Sequence, residues 1–128
     1  MRFWVIKVFF GSAINKIFSK DKKINLLRID RERFKNIEDN SIKCDFVINC
    51  SMPSKRFWAE NNPELDYAET VKKTKSIISK FPFSKLIQIS SISAKTQTHM
   101  IYGKNKKTAE DLINQKKNLV LRLGPLYG

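Results

Sequence analysis

Five short apolar runs recur along the chain: FWVIKV (3–8), INLLRI (24–29), DFVINC (45–50), KLIQI (85–89) and NLVLRL (118–123). Each closes on a cysteine, serine, glycine or charged residue. Runs of this length that stay apolar instead of alternating are the pattern of strands covered on both faces. Between them lie polar stretches with helical spacing. Ile14, Ile17 and Phe18 mark a helix over 13–19. Leu65, Ala68, Val71, Thr74, Ile77, Ile78 and Phe81 form one apolar stripe over 64–81, stopped by Pro82. A third helix is expected from Tyr102 or Gly103 to Gln115, with Ala109, Leu112 and Ile113 inward. Residues 32–43 carry no strand signal; Phe34 and Ile37 suggest one packed turn of helix. The breakers Pro53, Asn61, Asn62 and Pro63 make 51–63 a loop.

This alternation predicts an α/β fold: a Rossmann-like open parallel sheet of about five strands with helices on both faces. The 128 residues suit one domain, and 41% hydrophobic content supplies one core. Ligands of such sheets bind beyond the carboxyl ends of the strands. A chain ending on its fifth strand leaves an edge or an apolar face open, where a second copy could pair as a homodimer.

The formal charge is +13, from 25 Lys and Arg against 12 Asp and Glu. Scattered lysines without interleaved aromatic residues argue against a nucleic-acid partner. Cys44 and Cys50 flank one strand, too far apart for a disulfide, and read as reduced, buried residues of a cytoplasmic protein. No Cys/His cluster points to a metal, and His99 falls in a polar loop. The apolar start is interrupted by Lys7 and is too short to span a membrane.

The chemistry concentrates in KLIQISSISAKTQTHMIYGKNK (85–106). A strand ends in Ser90-Ser91, and Tyr102 and Lys106 stand at i and i+4 on one helix face. An ammonium beside a phenol lowers its pKa and makes it usable as an acid or base near neutrality. Ser91 would hold a substrate oxygen; Ser90 and Ser93 are secondary candidates.

With these motifs the sequence resembles the extended short-chain dehydrogenase/reductases, specifically the NAD-dependent epimerase/dehydratase group that acts on nucleotide sugars. The segments that carry the resemblance are DFVINCS (45–51), NNPELDYAETVKKT (61–74), KLIQISSISA (85–94), IYGKNKKTAEDLI (101–113) and LRLGPLYG (121–128). It implies an NAD- or NADP-dependent epimerase, dehydratase or reductase. Ser91 would polarise the substrate oxygen, Tyr102 would be the general acid/base, and Lys106 would hold the nicotinamide ribose. It also implies cofactor contacts from Gly11, from Asp30 at the adenosine ribose or Arg31 at a 2′-phosphate, and from the backbone of Cys50 and Ser51.

Several positions depart from the family. Of its Gly-x-x-Gly-x-x-Gly only Gly11 remains, with Val5 and Val8 at the other two places. Thr70 replaces a common Asn, and the substrate-binding part expected after residue 128 is missing. These departures support an alternative, a non-catalytic Rossmann-like remnant or protein-interaction scaffold without cofactor.

Overall fold

The structure, a computed structural model, describes residues 3–8 and 20–124. All five strands form where the apolar runs lie: β1 (Phe3–Val8), β2 (Ile24–Ile29), β3 (Phe46–Asn49), β4 (Lys85–Ser91) and β5 (Leu119–Leu123). They make one parallel sheet in the order β2-β1-β3-β4-β5. The order reverses between β1 and β3, so the carboxyl ends of these strands open onto the crevice where such sheets take ligands. The expected helix over 13–19 and the glycine at position 11 lie outside the described residues.

No strand forms in 32–43. Instead α1 (Arg31–Asn36) turns there, capped by the Asp30 carboxylate, which accepts from the Arg33 amide at 2.8 Å. It delivers Phe34 and Ile37 to a core that also holds Ile29, Val47, Ile77, Phe81, Leu86 and Ile113.

Two regions correct the sequence reading. The expected loop 51–63 contains a helix, α2 (Arg56–Asn61), and α3 (Pro63–Tyr67) begins at its last residue. Pro63 opens α3 instead of ending a segment, since proline at the first helical position loses no hydrogen bond. The second correction concerns the 64–81 stripe. Here α3 runs through a π-helical turn (Ala68–Lys72) into α4 (Lys73–Lys80). A π turn holds one extra residue, which rotates everything upstream by about 100°. Leu65 stands nine residues before Thr74, on the far side of a regular helix, and is 56% exposed, whereas the π turn brings Asp66 and Thr70 onto the buried face. Downstream the stripe holds: Val71, Thr74, Ile77 and Phe81 are buried.

Beyond it, α5 (Ser93–Thr96) leads into α6 (Ile101–Asp111), which ends short of Gln115 and leaves Leu112 exposed. Met100 provides no side-chain cap for α6. Glu60 on α2 does so from a distance, accepting from the Ile101 amide at 2.6 Å. The region read as loop therefore anchors the helix that carries Tyr102.

Toward their carboxyl ends β3 and β4 replace apolar core with a polar ladder. Asn49 and Gln88 are register partners and fully buried. Asn49 Nδ2 donates to Gln88 Oε1 at 2.8 Å, and Gln88 Nε2 donates to Thr74 Oγ1 at 2.9 Å. Thr74 Oγ1 donates in turn to the Thr70 carbonyl at 2.8 Å. Ser51 closes the other end, its amide and hydroxyl both donating to Asn49 Oδ1. On β5, Leu119, Leu121 and Leu123 are all exposed, the open apolar face expected of the last strand.

Two substitutions test this packing. A Cβ on Gly103 would lie 2.1 Å from the Gln97 carbonyl oxygen and 2.5 Å from that of Ser93. Gly103→Ala, which in an exposed helix gains about 1 kcal/mol, should here lower stability by about 2 kcal/mol or more in denaturant unfolding. Gln88→Leu strands Asn49 Nδ2 and should cost about 1–3 kcal/mol. An unchanged unfolding midpoint in either variant would contradict the packing described.

Candidate functional site

Ser91, Tyr102 and Lys106 meet in one cleft of about 340 Å³ at the carboxyl ends of β3, β4 and β5. Cys50, Met52 and Pro53 form one wall, and Ile92 and Gly124 border the strand ends. Three local features bring the groups together. β4 runs to Ser91 and stops. The Gly103 backbone lies directly against the Ser93 and Gln97 carbonyls, which seats α6 on α5. Helical spacing then stacks Lys106 one turn from Tyr102.

Lys106 is 2% exposed. Its Nζ donates to the Pro53 carbonyl at 2.7 Å and lies 4.8 Å from the centre of the Tyr102 ring, a cation–π contact. Burial lowers its pKa from 10.5 to about 8, with Asp66 acting in the opposite sense. An ammonium here keeps donors to spare after the Pro53 bond.

The expected depression of the Tyr102 pKa is reversed. Tyr102 is buried, and desolvation raises its pKa above the ordinary phenol value. The Ser91 side chain and the Arg56 charge favour the phenolate, and Asp66 opposes it, but burial outweighs them. Lys106 faces the ring instead of the phenolic oxygen, so its charge does not offset that burial. The resting phenol is therefore protonated across the neutral range.

The three serines separate clearly. Ser90 is buried and donates to Glu110 Oε2 at 2.7 Å, and Glu110 is held by a two-pronged ion pair with Arg122, closest at 2.6 Å. Ser93 is buried against Gln97 at 3.3 Å. Ser91 accepts from the Ser93 amide at 3.2 Å, and its hydroxyl reaches the Tyr102 phenol.

Other expected cofactor residues lie elsewhere. Cys50 lines the cleft, whereas Ser51 is committed to Asn49. Asp30 and Arg31 sit beyond β2, outside the cleft. The Asp30 carboxylate caps α1, and the exposed Arg31 reaches Glu69 only at 3.8 Å. Both cysteines are half-buried, and among the described residues neither is in a disulfide. Among the described residues no group of three or more His, Cys, Asp or Glu could hold a metal, and no helix is long and apolar enough to cross a membrane.

Sequence reasoning missed Asp66, Asn105 and the Asn49–Gln88–Thr74 ladder. Polar residues inside otherwise apolar strands were a readable signal for Asn49 and Gln88. Asp66 carried none, because its burial depends on the π turn.

No protein-family model matches the chain, and no curated protein does. Solved structures do. A dTDP-4-dehydrorhamnose reductase from Bacillus anthracis, in complex with NADP, superposes with TM-score 0.80 at 18% identity, over 99% of this chain and 55% of the other. The Yersinia enterocolitica dTDP-4-dehydrorhamnose reductase gives TM-score 0.81 at 17% identity, over 97% of this chain and 53% of the other. The UDP-Glc/GlcNAc 4-epimerase of Campylobacter jejuni gives 0.72 at 14%, over 93% and 52%. The chain spans about half the length of the structures it matches, and over that length it shares their Rossmann-like fold.

Proposed function

We propose that the cleft binds the nicotinamide end of NAD or NADP and acts on a nucleotide sugar in the reductive direction. The observation that carries this reading is the convergence of Ser91, Tyr102 and Lys106 in one cleft beyond the strand ends. The donors fit the group: the spare Lys106 hydrogens suit a ribose diol, and the Ser91 hydroxyl suits a substrate carbonyl. When bound, the dinucleotide supplies hydride.

The chain's own residues supply position and proton. Ser91 holds the substrate oxygen. Tyr102, a protonated phenol in the resting cleft, gives its proton to that oxygen as it gains negative charge. A phenol that holds its proton is an acid and not a base, which favours carbonyl reduction over proton abstraction. Lys106 fixes the ribose and, as an ammonium, stabilises charge next to the ring. The reductases and the NADP complex among the similar structures support the same direction. Arg31, exposed and weakly tethered, suits the 2′-phosphate of NADP better than Asp30, which is occupied as a cap, suits a free ribose.

Three outcomes follow for the purified chain. NADPH should bind more tightly than NADH by calorimetry, and Arg31→Ala should remove the difference. Binding should weaken as pH rises through about 8, because Lys106 loses its proton there and with it the ability to act as a cation; in Lys106→Ala the affinity should be low and flat with pH. With a dTDP-4-dehydro sugar, NADPH oxidation should fall about 10²- to 10⁴-fold in Tyr102→Phe. A folded protein that binds neither dinucleotide would refute the cofactor reading and favour the scaffold alternative.

A further inference from the structure

A buried ammonium needs a countercharge, and the cleft wall provides none: its lining has Arg56 and Lys106 but no Asp or Glu. The nearby Glu110 is already engaged by Arg122 and Ser90. Behind the cleft stands Asp66, fully buried on α3. Its Oδ2 accepts from Asn105 Nδ2 at 2.7 Å, and Asn105 is the residue before Lys106. Its Oδ1 is buried without a hydrogen-bond partner among the described residues, as is Thr70 Oγ1 one turn further on.

This placement is costly. The π turn carries Asp66 onto the buried face of the helix. A regular helix would bring the next residue, Tyr67, there instead, and apolar replacement of a buried charge is often stabilising. A buried carboxylate with one oxygen unsatisfied is poor as a structural bond alone; it makes sense where its charge is used.

We infer that Asp66 is a positioning residue for the site: its carboxylate is the countercharge that keeps Lys106 an ammonium against the Tyr102 ring, and through Asn105 it fixes the turn of α6 from which Lys106 projects. This rests on Lys106 being the site's amine. The groups facing the pair are few. Lys106 meets Tyr102 from its own helix, the Pro53 carbonyl from the loop after β3, and Asp66 from α3. Asp66 meets Asn105 and Lys106 from α6 and Glu60 from α2. Burial and Glu60 push the Asp66 pKa up, while Asn105 and Lys106 hold it down. Each charge of the pair thus favours the other.

The test is the titration of Lys106, followed by NMR in protein labelled with ¹³C-lysine, with Lys106→Met assigning the resonance. Asp66→Asn keeps the shape and an acceptor for Asn105 but removes the charge. The Lys106 midpoint should fall by about one pH unit from its wild-type value. A purely structural Asp66 predicts no movement, and an unmoved midpoint in folded Asp66→Asn would overturn the assignment. If that variant does not fold, the reciprocal arm decides: in Lys106→Met the Asp66 carboxyl midpoint should rise, and an unmoved midpoint would again overturn it. Dinucleotide binding is measured separately. Its absence alongside a moved midpoint would refute the cofactor reading and leave Asp66 in its role; binding with an unmoved midpoint would do the reverse.

Discussion

The close approach of α6 to α5 at Gly103 sets the geometry of the site. With two backbone carbonyls within 2.5 Å of where a Cβ would stand, no other residue fits. The contact fixes how far α6 can settle toward the sheet, and with it the depth of Tyr102 and Lys106. Glu60 holds the start of the same helix, and the Glu110–Arg122 pair ties its last turns to β5. The helix is thus pinned at its beginning, along its inner face and near its end. Tyr102 and Lys106 therefore sit on a frame with little freedom, as the proposed directional chemistry requires.

Stability and chemistry occupy different parts of the sheet. Around Val47, Leu86, Ile77, Phe81 and Ile113 the core is apolar, and each buried aliphatic side chain stabilises by about 1.5–3 kcal/mol. Two residues further along each strand, Asn49 and Gln88 take over, and then Ser90 with Glu110. The ladder is satisfied link by link, so it holds its shape without the cost of unpaired groups. Satisfaction fails at Asp66 and Thr70, and at Glu69 Oε2, which faces Arg31 and Lys73 at salt-bridge distance. At Asp66 stability is given up for a buried charge.

How far the sequence could be read follows from range. The five strands were legible because apolar run length is a local property, and the parallel sheet followed from their alternation with helices. Ser91, Tyr102 and Lys106 were legible because strand end and helical spacing are local too. What failed was tertiary. Nothing local distinguishes the helix at Arg56–Asn61 from a loop: only Ala59 on it is buried, and its main role is the distant Glu60 cap. The π turn is invisible to a pattern that assumes one period throughout. The direction of the Tyr102 pKa turned on depth of burial, which spacing along a helix does not encode.

The π turn also has a consequence for sequence length. It is equivalent to one residue inserted into a helix, and removing one residue from Ala68–Lys72 would return the helix to a single period. The segments on either side would keep their facing, with Asp66 still in line with Thr74 on the buried side. Such a chain would keep its strands, its apolar core and the charge behind Lys106. A regular helix through all the present residues would instead turn the upstream segment by about 100°, bringing Tyr67 in line with Thr74 and carrying Asp66 to the flank. The π turn is how a helix with one residue too many keeps its carboxylate facing inward.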